Sequence, residues 1–202
     1  MSDTKKQFRG GRPSKREFIL KQAEVLVRER GASQLTFDAL TEQTGISKGG
    51  LLYHFESKEA LIIAMLERYI GQRQERTAAV LEAKPHLVDM PDGDLLAMVE
   101  AEITEPQEML AVDSAIVAAV AANPELLEPV RQRNVELWQR LDQAQAGSAQ
   151  ARVAWKAVVG HRLLKQFGLL IETDEQTDAF IAEVTAMLTP SAKNSTDDSV
   201  FG

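Results

Sequence analysis

The chain contains no cysteine. That removes disulfides, Cys-ligated zinc, iron–sulfur clusters and thiol nucleophiles. No apolar run approaches the roughly 20 residues of a membrane-spanning helix. The N-terminal MSDTKKQFRGGRPSKR is charged with no apolar segment behind it, which is not the pattern of a secretory signal. Alternating β-branched stretches are scarce, and no internal repeat is present. Of the three histidines, His54, His86 and His161, none has a second histidine or an acid at metal-ligand spacing such as HExxH. There is no phosphate loop and no convergent catalytic set. These absences point to a cytoplasmic protein with no catalytic residues, no cofactor and no metal, and so not to an enzyme.

What is there is a chain of 202 residues, 44% hydrophobic, long enough for one large domain or two small ones. A formal net charge of −7 argues by itself against a nucleic-acid partner. Its distribution reverses that reading. Residues 1–70 carry 12 Lys/Arg against 9 Asp/Glu, whereas residues 71–202 carry 11 against 21. Six of the basic residues (Lys5, Lys6, Arg9, Arg12, Lys15 and Arg16) fall within the first sixteen positions. A basic arm on a mildly basic module, joined to an acidic body, is the charge asymmetry of a polyanion-binding protein. A solvated tail is the alternative for the arm alone.

Helical periodicity runs through most of the chain and predicts an all-α fold of about nine helices. Ser14 followed by Glu17 reads as a capping box, opening a helix that Gly31 stops after Arg28 and Arg30. Thr36 caps a short second helix ended by Gly45, a residue suited to the left-handed conformation. Ser47 caps a very short third helix, and Ser57 a long fourth from Lys58 to about Ala83. The body is expected to add helices at about 94–104, 106–122, 124–146, 148–171 and 174–188. The predicted organisation is a flexible arm over 1–13, a DNA-binding module over 14–70, a helical body over 71–188 and a disordered tail over 189–202.

Residues 36–55 make a unit of capped helix, tight turn and capped helix, which is a helix-turn-helix. Phe18, Val25, Leu26, Leu51, Phe55 and Leu61 are its core candidates, with Leu40 and Ile46 setting the angle between the two helices. Such a module lays its second helix in the major groove. Leu51 and Phe55, four apart, supply an inward face and leave Tyr53 near the opposite side.

The run GASQLTFDALTEQTGISKGGLLYHFESKEAL (31–61) resembles the DNA-binding domain of the TetR/AcrR family of bacterial transcriptional regulators. The pattern Gly-Ile-Ser-x-Gly-x-Leu-x-Tyr-x-Phe-x-Ser-Lys carries the resemblance, which covers residues 13–70. Carried over, it makes Ser47, Lys48, Gly49, Tyr53, His54 and Lys58 DNA contacts, with Thr36 a further phosphate-side candidate. Gly49 is then the point where the backbone meets phosphate, while Gly50 reads only as its permissive neighbour. Two positions depart from the family pattern. Phe37 stands where a second Thr is common, and Leu52 where a Tyr is common. Leu52 cannot donate to phosphate but can touch a thymine methyl; simple packing is its alternative. Arg9 and Arg12, in Arg-Gly-Gly-Arg-Pro, suit a narrow minor groove.

A single short recognition helix buries little surface, so a homodimer spanning two half-sites of a palindromic operator is expected. Ala157, Gly160, Leu164 and Phe167, with Phe180 and Val184 from the last helix, are the dimer candidates, and Gly160 and Gly168 would permit close helix approach. The resemblance implies a ligand pocket among the middle helices, for which Met98, Glu102, Met109, Asp113, Trp138 and Trp155 are candidates. The function expected is a ligand-responsive regulator, most simply a repressor released by a small-molecule inducer, with helix 58–83 as the lever. The alternatives are a helical small-molecule-binding protein or enzyme with no DNA role, and a dimerising adaptor.

Overall fold

The computed structural model describes residues 14–106 and 123–190, and all of the regular structure in them is helical. Eight α-helices are described: α1 (Lys15–Arg30), α2 (Phe37–Thr44), α3 (Lys48–His54), α4 (Lys58–Ala83), α5 (Gly93–Ile103), α6 (Glu128–Asp142), α7 (Ser148–Gln166) and α8 (Asp174–Leu188). Among the described residues no helix is long and apolar enough to cross a membrane. The expected arm over 1–13, the helix over 106–122 from residue 107 onward, and the tail from 191 lie outside them.

The starts of the first four helices follow from local chemistry. Ser14, Thr36, Ser47 and Ser57 each accept a hydrogen bond from the backbone amide three residues on, at 3.2, 3.1, 3.2 and 3.0 Å, which satisfies one orphan donor of each first turn. The capping box at α1 is only half made. Glu17 turns away from Ser14 and pairs with Arg68 of α4, because a guanidinium is a stronger partner than one amide. The complete box lies at α8, between Thr173 and Gln176. Gly45 ends α2 at φ 69° and ψ 6°, a left-handed conformation that a β-carbon disfavours.

Two boundaries in the body differ from expectation. The segment 124–146 splits into a 3-10 turn over Pro124–Leu127 and α6, because prolines at 124 and 129 each open a first turn. α7 stops at Gln166 rather than 171. Gly168 sits at φ 65° past its end, and the Leu169 amide reaches back to the Leu164 carbonyl at 2.8 Å. Gly168 is therefore a helix stop.

Two apolar clusters hold the molecule. The first gathers Ile19, Leu20, Ala23, Leu26 and Val27 of α1 with Leu40, Leu51, Phe55 and the first turns of α4. Phe18 is 41% exposed and Val25 half-buried, so α1 presents a face rotated from the expected one. The second joins α5, α6, α7 and α8, with Val80 and Leu81 from the end of α4 packed on it. α4 therefore runs through both. So does the segment over 124–142: Leu126 of the 3-10 turn belongs to the first cluster, with Leu127 and Val130 packed against it, while Leu137 and Leu141 of α6 join the second. The N-terminal module is not closed at residue 70; it borrows apolar surface from a segment some sixty residues further along the chain.

Candidate nucleic-acid interface and cavity

α3 has seven residues, two of them glycine, and so little intrinsic stability. It is held from behind. Leu51 is fully buried and Phe55 almost so. Thr44 donates to the Leu40 carbonyl at 2.6 Å and accepts from the Ile46 amide at 3.1 Å, locking the turn that leads into α3. Gln43 donates to the Gln22 carbonyl at 3.1 Å and pins α2 to α1. The Arg16 guanidinium lies 5.0 Å over the Phe55 ring.

The opposite face of α3 is open. Tyr53 is 85% exposed, and Leu52, Ser47, Lys48 and Gly49 are exposed as well. His54 is half-buried and meets Tyr53 edge-on at 5.2 Å. Lys58 is half-buried in the first turn of α4, and Thr36 is exposed at the start of α2. Ser47 and Thr36 use an oxygen lone pair on the cap, which leaves each hydroxyl proton to donate outward. Tyr53 thus turns away from the core, as the i to i+4 pairing of Leu51 with Phe55 requires. Arg9 and Arg12 lie outside the described residues.

Two features here were not legible beforehand. A β-carbon at Gly49 would meet nothing within 4 Å, whereas one at Gly50 would come 2.9 Å from Cγ2 of Ile46 and 3.3 Å from the Ser47 hydroxyl. Gly50, expected to be only a permissive neighbour, is required by packing within the turn. Gly49 has no internal reason to be glycine. The second feature is Asp38 of α2, whose carboxylate accepts from Lys48 at 3.0 Å, both groups being well exposed. Exposed pairs of this kind are worth about 1 kcal/mol at most, so Lys48 can leave Asp38 for a phosphate with little loss.

The body encloses a cavity of about 710 Å³ between α4, α5, α6 and α7, within the usual range for small-molecule sites. Met98, Glu102, Trp138 and Trp155 all line it, while Met109 and Asp113 lie outside the described residues. Sequence reasoning missed its basic wall. Arg73 of α4 and Arg162 of α7 both line the cavity, and both approach Glu102, Arg73 in direct contact and Arg162 at 3.7 Å. Glu105, 2% exposed, stands behind them at 3.9 and 4.0 Å. Arg162 also donates to the Tyr69 hydroxyl at 3.1 Å.

At the rim, Arg140 bonds Asp92 at 2.9 Å and also binds Asp94. Burial raises the Asp94 pKa, but the hydrogen bond and charge of Arg140 outweigh it and hold the carboxyl below its ordinary value. Where α1 meets α4, burial pushes Glu24 above the ordinary carboxylate value against the pull of Arg68.

Of the dimer candidates, Leu164 is 43% and Phe167 62% exposed, and neighbouring Leu163, Leu169 and Ile171 are exposed too. Ala157 and Gly160 are half-buried. Val184 is buried in the protomer's own second cluster and is unavailable to a partner. Phe180 is half-buried, packed against that cluster and stacked on His161 with ring centroids 4.6 Å apart. Among the described residues no group of three or more metal-ligating side chains comes together.

The chain matches two family models, "Bacterial regulatory proteins, tetR family" over residues 19–65 and "Tetracyclin repressor-like, C-terminal domain" over residues 94–189. It is 35% identical over 68 residues to the HTH-type transcriptional regulator YerO of Bacillus subtilis, covering 34% of this chain and 24% of that protein. It is 32% identical over 68 residues to the HTH-type transcriptional repressor NemR of Escherichia coli, covering 34% of each. The matches thus span only a quarter to a third of these curated relatives. The fold is similar to that of a ketosteroid transcriptional regulator of Mycobacterium tuberculosis, with a TM-score of 0.62 at 16% identity over 90% of this chain and 98% of that one. It is similar also to the multidrug binding protein EbrR, with a TM-score of 0.61 at 22% identity over 91% of this chain and all of that one. At those identities the likeness speaks for the fold alone.

Proposed function

The chain belongs to the TetR family of bacterial regulators, and from that premise we propose that it is a DNA-binding transcriptional repressor released from its operator by a small molecule held in the body cavity. The observation that carries this reading is the two-faced α3: Leu51 and Phe55 buried behind it, Lys48, Gly49, Leu52 and Tyr53 open in front. An exposed tyrosine and leucine side by side on one helix face are a contact surface. The Ser47 and Thr36 hydroxyls and the Lys48 and Lys58 ammonium groups are suited to phosphates, Gly49 to close backbone approach, and Leu52, Tyr53 and His54 to the groove edge. Arg9 and Arg12 would extend the contact along the minor groove.

Operator binding would be dimeric, with Leu163 and Leu164 of α7 and Phe167 and Ile171 just past its end as the apolar surface shared between protomers. Coupling between cavity and DNA would run through two elements. α4 crosses both apolar clusters, and the 3-10 turn with α6 behind it carries Leu126, Leu127 and Val130 at one end and the cavity residues Leu137 and Trp138 further along. A ligand that prefers one placement of α6 shifts the recognition helices by that preference and no more. NemR is named a repressor and EbrR a multidrug binding protein, which accords with both halves of the reading.

The test is a fluorescence-anisotropy titration of DNA flanking the chain's own gene. Saturable, salt-sensitive binding that Tyr53→Ala weakens at least tenfold is expected. Binding equal to that of unrelated DNA, or unaffected by Tyr53→Ala, would overturn the assignment.

A further inference from the structure

Asp38 places an acid at the face where a polyanion would dock. It is the second residue of α2, its side chain is 78% exposed, and its Oδ1 accepts from Lys48, the first residue of α3, at 3.0 Å. In a helix-turn-helix the first residues of the second helix meet base edges while the first helix crosses the backbone. The bond to Lys48 therefore puts the Asp38 carboxylate within one lysine side chain of the groove. Phosphates offer it only acceptors, and so repel it. Residues 14–70 carry eight Lys/Arg against eight Asp/Glu, so the helical part of the module has no surplus charge to absorb that repulsion. Within the protein Asp38 returns little, because an exposed ion pair and an acid in a first helical turn both stabilise only weakly.

We propose that Asp38 is a specificity-determining residue of the DNA interface, its carboxylate accepting from the exocyclic amine of a cytosine in each half-site. This rests on the reading of α3 as the recognition helix. The donors that bases show in the major groove are the N4 amine of cytosine and the N6 amine of adenine. Cytosine is the better fit. Adenine N6 lies between two acceptors, its own N7 and thymine O4, whereas cytosine N4 has one acceptor beside it, guanine O6. Guanine or thymine at this place would turn only acceptors toward the carboxylate. A carboxylate has about four acceptor sites over its two oxygens, so one bond to Lys48 leaves capacity for an amine, and more is freed when Lys48 moves to a phosphate. Asp38 thus lowers affinity for every sequence through the backbone and restores it only where an amine is in place, which turns repulsion into discrimination.

The full-length protein and Asp38→Ala are each used to select from a random-sequence duplex library, and the selected half-sites are compared base by base. The parent is expected to enrich cytosine over guanine about fivefold at one position of each half-site, the lower part of the range for a good base contact. Asp38→Ala is expected to bring that position within about twofold, to leave the other positions as they were, and to bind unrelated duplex more tightly at low salt. Asp38→Asn carries a donor beside its acceptor and is expected to move the preference toward adenine, whose N6 and N7 an amide side chain matches. A role confined to the start of α2 would move none of these preferences. A cytosine preference that persists in both variants overturns the proposal, as does a uniform gain in affinity with no change at any base. Failure of the parent to enrich any sequence overturns the reading of α3 as a recognition helix, and this inference with it.

Discussion

Adding one methyl group at each of the adjacent glycines of α3 separates packing from contact. Gly49 and Gly50 occupy the second and third residues of the helix, where alanine is intrinsically better than glycine by about 0.5–1 kcal/mol. At Gly49 the new methyl meets nothing within 4 Å, so Gly49→Ala is expected to stabilise the free protein by about 0.5 kcal/mol, the lower figure because the position lies in the first turn. At Gly50 the methyl arrives 2.9 Å from Cγ2 of Ile46. Ile46 is β-branched, packed against the first apolar cluster and stiff at χ1, so it cannot swing aside. Overpacking of this kind costs about 1–3 kcal/mol, which outweighs the propensity gain and leaves Gly50→Ala about 1 kcal/mol less stable than the parent. The two variants should therefore differ by about 1.5 kcal/mol in urea unfolding followed at one protein concentration. Their order in DNA affinity should be the opposite. Gly49→Ala puts a methyl on the exposed face and should lose at least tenfold, about one charge-assisted hydrogen bond, whereas Gly50→Ala should lose less. Equal stabilities would refute the packing account of Gly50, and undiminished affinity in Gly49→Ala would refute the contact account of Gly49.

Lys48→Ala should lower affinity for all DNA sequences and reduce the salt slope by about one counterion, both measured by mobility shifts at several salt concentrations, with stability in urea changed by about 1 kcal/mol at most because its pair with Asp38 is exposed. Leu126→Ala, far from the helix-turn-helix in sequence, should cost about 2–5 kcal/mol because it opens a hole in the first cluster; a loss under about 1 kcal/mol would show that the turn before α6 does not close that core. His161 is buried against Phe180, and burial holds its pKa below the ordinary value of 6.5, with Lys165 adding to the effect and Glu172 opposing it. The folded state then binds fewer protons than the unfolded state below about pH 6.5, so stability is full above that pH and falls as pH drops toward the folded value. His161→Gln should flatten the stability profile between pH 7 and 5, measured by denaturant midpoints; an unchanged profile would assign that pH dependence to other groups.

The parts of this protein that were legible from its sequence are those decided within one helical turn. Thr36, Ser47 and Ser57 announce their helices because a cap acts on an amide three residues away, and Leu51 with Phe55 fixes an inward face because four residues bring side chains onto one side. The all-α architecture and the outward Tyr53 follow from the same short reach. Tertiary structure decided the rest. Gly50 is tied to Ile46 across a turn whose angle no local rule gives. Val184 faces its own protomer, because a broad apolar face on a helix does not say which side a neighbouring helix covers. Arg73, Glu102, Glu105 and Arg162 come from three separate stretches of the chain, and only the packing of α4, α5 and α7 brings their charges to one end of a cavity. Leu126 joins the core of the N-terminal module by the same means, since burial of apolar surface is indifferent to distance along the chain.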